Sequence, residues 1–163
     1  MTKHWFQAHL MKKFTQGKTL GIDLGYGLGN WDQFKQCKFV TLDRVYMGKT
    51  LNDKSAKKPD IISDFNYELP FQSDIFDIAM CYGVLHLIKK HQLFLREIKR
   101  VLKKDYYLIC VIPHENWNQD ILDKVLKEAG FRSVMHKHLK EWVWARWYNW
   151  TSVYSYAILQ NKK

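Results

Sequence analysis

Apolar residues recur along the chain at alternating helical and strand spacings. Phe6, Leu10 and Phe14 fall at i, i+4 and i+8, which predicts a short amphipathic helix over residues 4–14. Residues 19–24 form a compact apolar run that ends in glycines and predict a buried strand. A short helix is predicted over residues 30–36, where Trp31 and Phe34 lie three apart on one face. Residues 38–43 predict a second strand, and the Lys- and Asn-rich residues 46–58 a polar loop with a helical turn. Third and fourth strands are predicted over residues 60–64 and 75–81.

The helical period returns over residues 90–103, where Phe94, Ile98, Val101 and Leu102 share a stripe. Residues 106–112 are rich in β-branched and aromatic side chains and predict a fifth strand, stopped by Pro113. Over residues 118–129, Ile121, Leu122, Val125, Leu126 and Ala129 keep helical spacing, with Gly130 where a C-terminal cap belongs. Sixth and seventh strands are predicted over 131–138 and 153–160, joined by a Trp-dense connection. Strands alternating with helices imply a mostly parallel sheet covered on both faces. No helix separates the last two strands, which lets the final one enter antiparallel. The fold class is α/β, in three layers.

Composition narrows the function classes. The 163 residues are 47% hydrophobic and 15% aromatic, enough to build a core in one domain. A membrane span needs about 20 consecutive apolar residues, and the sequence contains no such run. Near the start, Trp5, Phe6, Leu10 and Met11 are separated by polar groups, unlike the apolar stretch of a secretory leader. Three cysteines argue against a disulfide framework. The expectation is a soluble, cytoplasmic domain with no membrane partner. Its net charge of +10 is concentrated at the two ends. Lys3, Lys12, Lys13 and Lys18 meet no acid before Asp23, and beyond residue 131 the bases meet Glu141 alone. Such ends attract nucleic acid or another polyanion, or simply keep a small protein soluble.

The first predicted strand runs into Asp23-Leu24-Gly25-Tyr26-Gly27-Leu28-Gly29. Glycines serve a sharp strand-to-helix turn and let backbone approach a ligand closely. The nicotinamide-cofactor fingerprint requires a further glycine at position 30, where Asn30 stands, so that pattern fails. Asp43 ends the second strand, 20 residues after Asp23, where a carboxylate can accept from two ribose hydroxyls. Asp64-Phe65 closes the third strand, and Leu69-Pro70-Phe71 precedes Phe76-Asp77 and the fourth.

With these residues in this order, the chain resembles the class I S-adenosylmethionine-dependent methyltransferases, and within them the small-molecule subtype called type 11. The resemblance is carried by residues 21–29, 40–43, 60–87, 94–102 and 125–131. It implies a Rossmann-like three-layer sandwich with a seven-stranded, mostly parallel sheet and an antiparallel last strand. It further implies a single domain over 1–163, with a short N-terminal helix, a cofactor-binding half over about 19–88 and a substrate-side half over about 89–163. The implied cofactor is S-adenosyl-L-methionine. Asp23 resembles the acid that orients the glycine loop and reaches the cofactor's amino group through water. Gly25 and Gly27 resemble the backbone passing under the methionine and ribose, with Tyr26 between them. Asp43 is similar to the residue gripping the ribose hydroxyls. By the same resemblance Asp64 accepts from the adenine amino group and Phe65 lines the ring. Tyr82 and Gly83 end the fourth strand, beside the transferable methyl. Each acid has an alternative role as a helix or turn cap.

The chain departs from the family pattern at two places. Lys104, Asp105 and Tyr106 stand where the family often has Pro-Gly-Gly, and Leu87 replaces a frequent His, with His86 adjacent. The chain is also short for the family, leaving little to cover a substrate. Methyl transfer demands alignment and exclusion of water, so no universal catalytic residue is expected. Tyr82, His86 and His114 are the candidates for acid–base help, each at or after the C-terminal end of a predicted strand. A helix-start or loop role is the alternative for His86. No metal site is expected: His136 and His138 share a strand face without a completing ligand. Cys81 and Cys110 read as core.

Four tryptophans and Arg146 crowd residues 142–150. Such a segment stacks on bases, lines an apolar or cationic acceptor site, covers a sheet edge or joins two copies as a homodimer. The acceptor is therefore a small molecule or RNA, with the family subtype favouring the small molecule. A non-catalytic RNA-binding or scaffolding protein of the same fold is the alternative function.

Overall fold

A computed structural model describes residues 5–52, 54–113, 117, 119–145 and 148–161. Its elements run α1 (Trp5–Thr15), β1 (Leu20–Leu24), β2 (Lys38–Asp43), α2 (Met47–Thr50), β3 (Ile61–Ile62), β4 (Phe76–Tyr82), α3 (His91–Val101), β5 (Leu102–Pro113), α4 (Gln119–Glu128), β6 (Phe131–Ala145) and β7 (Tyr148–Asn161). The seven strands form one sheet in the order β3-β2-β1-β4-β5-β7-β6. Strands β1 to β5 run parallel to one another, while β7 enters antiparallel between β5 and β6.

Period-2 alternation explains how the sheet divides its side chains between two cores. Leu108, Cys110 and Ile112 of β5 face α3 and α4, where Phe94, Leu95, Ile98, Val101, Leu122 and Leu126 bury the stripes predicted for those helices. The intervening Ile109 and Val111 face the other way, with Ile78 and Ile158, against Leu10 of α1. Helices thus lie on both faces, and the sandwich has three layers. Among the described residues, no helix is long and apolar enough to cross a membrane.

Three local departures have physical causes. The helix expected over 30–36 contracts to a three-residue turn of 3-10 helix, Asp32–Phe34. Lys35 leaves that turn extended, at φ −75° and ψ 131°, and Gln36 gives its N–H to the Thr15 hydroxyl. The third strand keeps two residues because the Asp60 carboxylate takes the Thr41 N–H and hydroxyl instead of continuing a ladder. The Trp-dense connection becomes strand, so β6 and β7 form a long hairpin through the β-prone Trp, Val and Tyr positions. Side chains of 136–157 lie outside the described residues, as does all of 146–147. The readings of His136, His138 and the Trp-rich segment fall there.

Asp105 replaces an expected glycine and adopts its conformation, at φ +64°. Asp enters the left-handed region more readily than most residues, so β5 keeps its turn.

Two latches fix the frame around the site. Asp77 accepts from the Thr19 and Leu20 N–H groups and from the Lys103 ammonium, pinning the start of β1 to β4. Glu97 of α3 accepts from Leu69 N–H, while Arg100 donates to the Leu69 and Phe71 carbonyls and pairs with Glu97 at 2.7 Å. That second latch ties the β3–β4 connection, and with it Asp64 and Phe65, to the helix layer.

Candidate functional site

The parallel register brings the C-terminal ends of β1, β2, β3 and β4 to one edge of the sheet. Leu24 pairs with Leu42 and Cys81, and Asp43 with Ile62. Open α/β sheets place ligands beyond this edge. Here a cavity of about 410 Å³ opens there, lined by Gly25, Gly27, Asp43, Asp64, Phe65 and Tyr82. Six of the eight residues expected around a cofactor therefore share one space. Arg44, Val45, Asn66, Gly83, Val84, Leu87 and Ile88 complete the lining.

The loop after β1 is built on reversed backbone. Gly25, Gly27 and Gly29 stand at φ +93°, +60° and +75°. Gly25 and Tyr26 give their N–H groups to the Leu42 carbonyl, so the loop folds back over β2. A Cβ on Gly25 would lie 1.9 Å from Val84 Cγ2, because the loop after β4 packs directly on this glycine. Gly27 N–H donates to Asp43 Oδ2 at 2.8 Å, which ties the loop to the carboxylate at the end of β2. Asp43 Oδ1 receives a 3.4 Å bond from Val45 N–H.

Asp64 is exposed and does two things at once. Its Oδ1 accepts from the Asn66 N–H and side-chain amide, a turn cap, and the carboxylate also faces the cavity. The bonds from Asn66 stabilise the charged form and hold its pKa below the usual carboxylate value. Asn66 in turn accepts from the Lys89 and Lys90 N–H groups, joining this wall to the loop that carries Leu87 and Ile88. Phe65 is buried and stacks on Phe94 at 5.4 Å. Tyr82 packs against Trp31, with ring centroids 4.8 Å apart.

Asp23 and Tyr26 stand behind the loop instead of lining the cavity. Asp23 meets the Lys35 ammonium at 2.7 Å, with both side chains almost fully buried. Burial pushes the Asp23 carboxyl up, against the pull of Lys35. Tyr26 is buried and donates its hydroxyl to Asp32 at 2.6 Å; burial and that carboxylate raise its pKa.

Of the acid–base candidates, Tyr82 lines the cavity. His86 sits on the 3-10 turn Leu85–Leu87, between lining residues Val84 and Leu87, without lining it. Burial lowers its pKa, leaving a neutral imidazole at pH 7. His114 lies outside the described residues. Sequence reasoning missed Val84, Leu87, Ile88, Asn66 and Lys35. Their type is ordinary, and only the order of motifs around them was informative.

A model of the type 11 methyltransferase family, described as "Methyltransferase domain", matches residues 21–110. The chain belongs to the class I S-adenosylmethionine-dependent methyltransferases, in this family. An uncharacterized protein of Methanocaldococcus jannaschii is 29% identical over 135 residues, covering 80% of this chain and 55% of the relative. The chain thus spans about half the length of that curated relative. A SAM-dependent methyltransferase of Aquifex aeolicus superposes with a TM-score of 0.66 at 18% identity, over 93% of this chain and 88% of the other. The 1,6-didemethyltoxoflavin-N1-methyltransferase of Burkholderia thailandensis, solved with that small molecule and S-adenosylhomocysteine, superposes at 0.70 with 15% identity, over 96% and 76%. At such identities the two structures share the fold with this chain.

Proposed function

We propose that this chain binds S-adenosylmethionine at the C-terminal edge of its sheet and transfers the methyl group to a small-molecule acceptor. One observation carries the reading: the glycine loop, the Asp43 carboxylate and the Asp64–Phe65 wall converge on a single cavity of about 410 Å³. That size lies in the range of small-molecule sites, roughly 300–1,000 Å³. At its floor the loop after β4 packs so closely on Gly25 that a Cβ there would overlap Val84.

In this reading Asp43 accepts from the ribose hydroxyls while Oδ2 keeps the Gly27 N–H. Asp64 and the Phe65 backbone serve the adenine, and apolar Val84, Leu87 and Ile88 exclude water from the nucleoside. Bound there, the sulfonium supplies an activated methyl and leaves as a neutral thioether. The chain's own contribution is alignment, which by itself lowers a barrier by about 7–11 kcal/mol in favourable cases. Tyr82 and Trp31 form an aromatic wall beside the loop, suited to holding an apolar or planar acceptor in line. A small acceptor is favoured by the family subtype and by the fold neighbour named as a 1,6-didemethyltoxoflavin-N1-methyltransferase.

Titrating intrinsic Trp fluorescence with S-adenosylmethionine tests the binding. Labelled methyl transfer into a cell extract, followed by nuclease, protease and dialysis, tests the acceptor. The expected result is a nuclease-resistant, dialysable product. Label lost to nuclease makes the acceptor RNA. Absence of binding at millimolar cofactor overturns the enzyme and leaves a non-catalytic protein of this fold.

A further inference from the structure

We propose that Lys35 is a positioning residue for the cofactor's amino-acid end, bracing the glycine loop from behind where the fold usually supplies a helix. The inference rests on the S-adenosylmethionine reading above.

Three glycines at positive φ give the loop great conformational freedom before folding. In sheets of this type the loop normally runs straight into a helix that restrains it. Here the following segment is a single turn, Asp32–Phe34, and contributes little restraint. A single buried ammonium stands in that place. Lys35 Nζ lies 2.7 Å from Asp23, just before the loop, and 2.7 Å from Asp32, just after it. Its side chain is 5% exposed. The same Nζ stands 5.2 Å from the ring of Tyr26, at the loop's centre, and 4.9 Å from that of Phe39. Asp32 accepts in addition from the Tyr26 hydroxyl and from Lys57. Lys35 therefore clasps both feet of the loop and its middle residue.

Electrostatics make the clasp necessary. Asp23, Asp32 and Asp43 lie close enough for the latter two to disfavour ionisation of the first. Without the ammonium between them, Asp23 and Asp32 repel and the loop's feet spread. Gly25 and the backbone beside it then leave the place assigned to the methionine portion. The nucleoside end, held by Asp43 at the end of β2 and by Asp64 and Phe65 in the segment after β3, is disturbed much less.

The test compares S-adenosylhomocysteine with 5′-methylthioadenosine, which keeps the nucleoside and lacks the amino acid. Affinities are measured by calorimetry for the wild type and Lys35→Met, well below both unfolding midpoints. Positioning predicts a loss of about tenfold or more for S-adenosylhomocysteine and less than about threefold for 5′-methylthioadenosine, on the scale of other orienting partners. A purely structural role lowers the unfolding midpoint and leaves the ratio of the two affinities unchanged, which overturns the inference. Asp32→Asn, at a partly exposed site, supplies a second variant should Lys35→Met fail to fold. It is expected to show the same selectivity at about three- to tenfold, and equal losses of affinity for both ligands would again overturn the inference. Wild-type protein that binds neither ligand refutes the cofactor reading itself, and this one with it. Wild-type binding with an unselective variant refutes the role of Lys35 alone.

Discussion

Replacing Asp43 with alanine separates two jobs that the structure assigns to one carboxylate. Without ligand, Asp43→Ala removes the acceptor of the 2.8 Å bond from Gly27 N–H. The site is half-buried and water replaces part of that bond, so the cost to folding is about 1 kcal/mol. For a chain of this size that corresponds to a fall of about 2–4 °C in Tm. With ligand, the variant also loses two hydroxyl bonds to a charged acceptor. After desolvation these are worth about 1–3 kcal/mol together, a 5- to 150-fold weaker Kd at roughly 1.4 kcal/mol per tenfold. Asp43→Asn is the control. Its amide oxygen still accepts from Gly27, so Tm stays near wild type, while loss of the charge weakens binding. Calorimetric titration with S-adenosylhomocysteine, alongside thermal unfolding of the free proteins, reads both quantities. An Asp43→Ala protein that melts earlier yet keeps wild-type affinity would refute the ribose role and leave the carboxylate a loop brace.

Gly25→Ala places a methyl 1.9 Å from Val84 Cγ2 on backbone at φ +93°. It should cost about 2–4 kcal/mol and abolish cofactor binding. Adding Val84→Ala relieves the clash but not the backbone strain, so partial recovery in denaturant melts is expected; additive losses would contradict the packing. Glu97→Ala leaves the buried Leu69 N–H without its acceptor and takes the carboxylate from Arg100, which keeps its bonds to the Leu69 and Phe71 carbonyls, with an expected loss of about 1–3 kcal/mol in chemical denaturation. A change under about 1 kcal/mol would mean the latch carries little. Asp32 supplies the pH dependence. Burial works against its ionisation, but bonds from Lys35, Lys57 and Tyr26 overcome it and lower its pKa from 3.8 to about 2. A depressed carboxyl stabilises the fold fully above its unfolded value, and that stability disappears as pH falls from about 4 to 2. Because the side chain is partly solvated, about 1 kcal/mol is expected in that window. Asp32→Asn should flatten this part of the acid-unfolding curve, and an identical curve would refute the network.

Much of the architecture was legible locally. Stripes such as Phe94, Ile98 and Val101, and alternation such as Leu108, Cys110 and Ile112, record which face each element buries. Periodicity of this kind lies within one segment, so it can be read without knowing any partner. The glycine triplet and the spacing from Asp23 to Asp43 to Asp64 were likewise visible. They sit at strand ends, where the parallel arrangement makes distance along the chain a proxy for position along the sheet edge. The antiparallel entry of the last strand followed from the missing helix before it.

What needed the tertiary structure was every decision made by a partner distant in the chain. Trp31 and Phe34 have helical spacing, yet the segment is a turn because Lys35 turns inward to Asp23 and Gln36 bonds Thr15 on α1. Asp23 and Asp43 both stand near the end of a strand, but one carboxylate is sealed against Lys35 and the other faces the cavity. The glycines after Asp23 set it apart in sequence, but they do not reveal the buried ammonium that seals it. Val84 becomes part of the floor only because β4 lies beside β1 and brings its following loop onto Gly25. Propensity and periodicity specify which surfaces must be buried. The assembled sheet decides which carboxylates stay accessible and which charges are paired, because burial and electrostatic energies depend on distance in space.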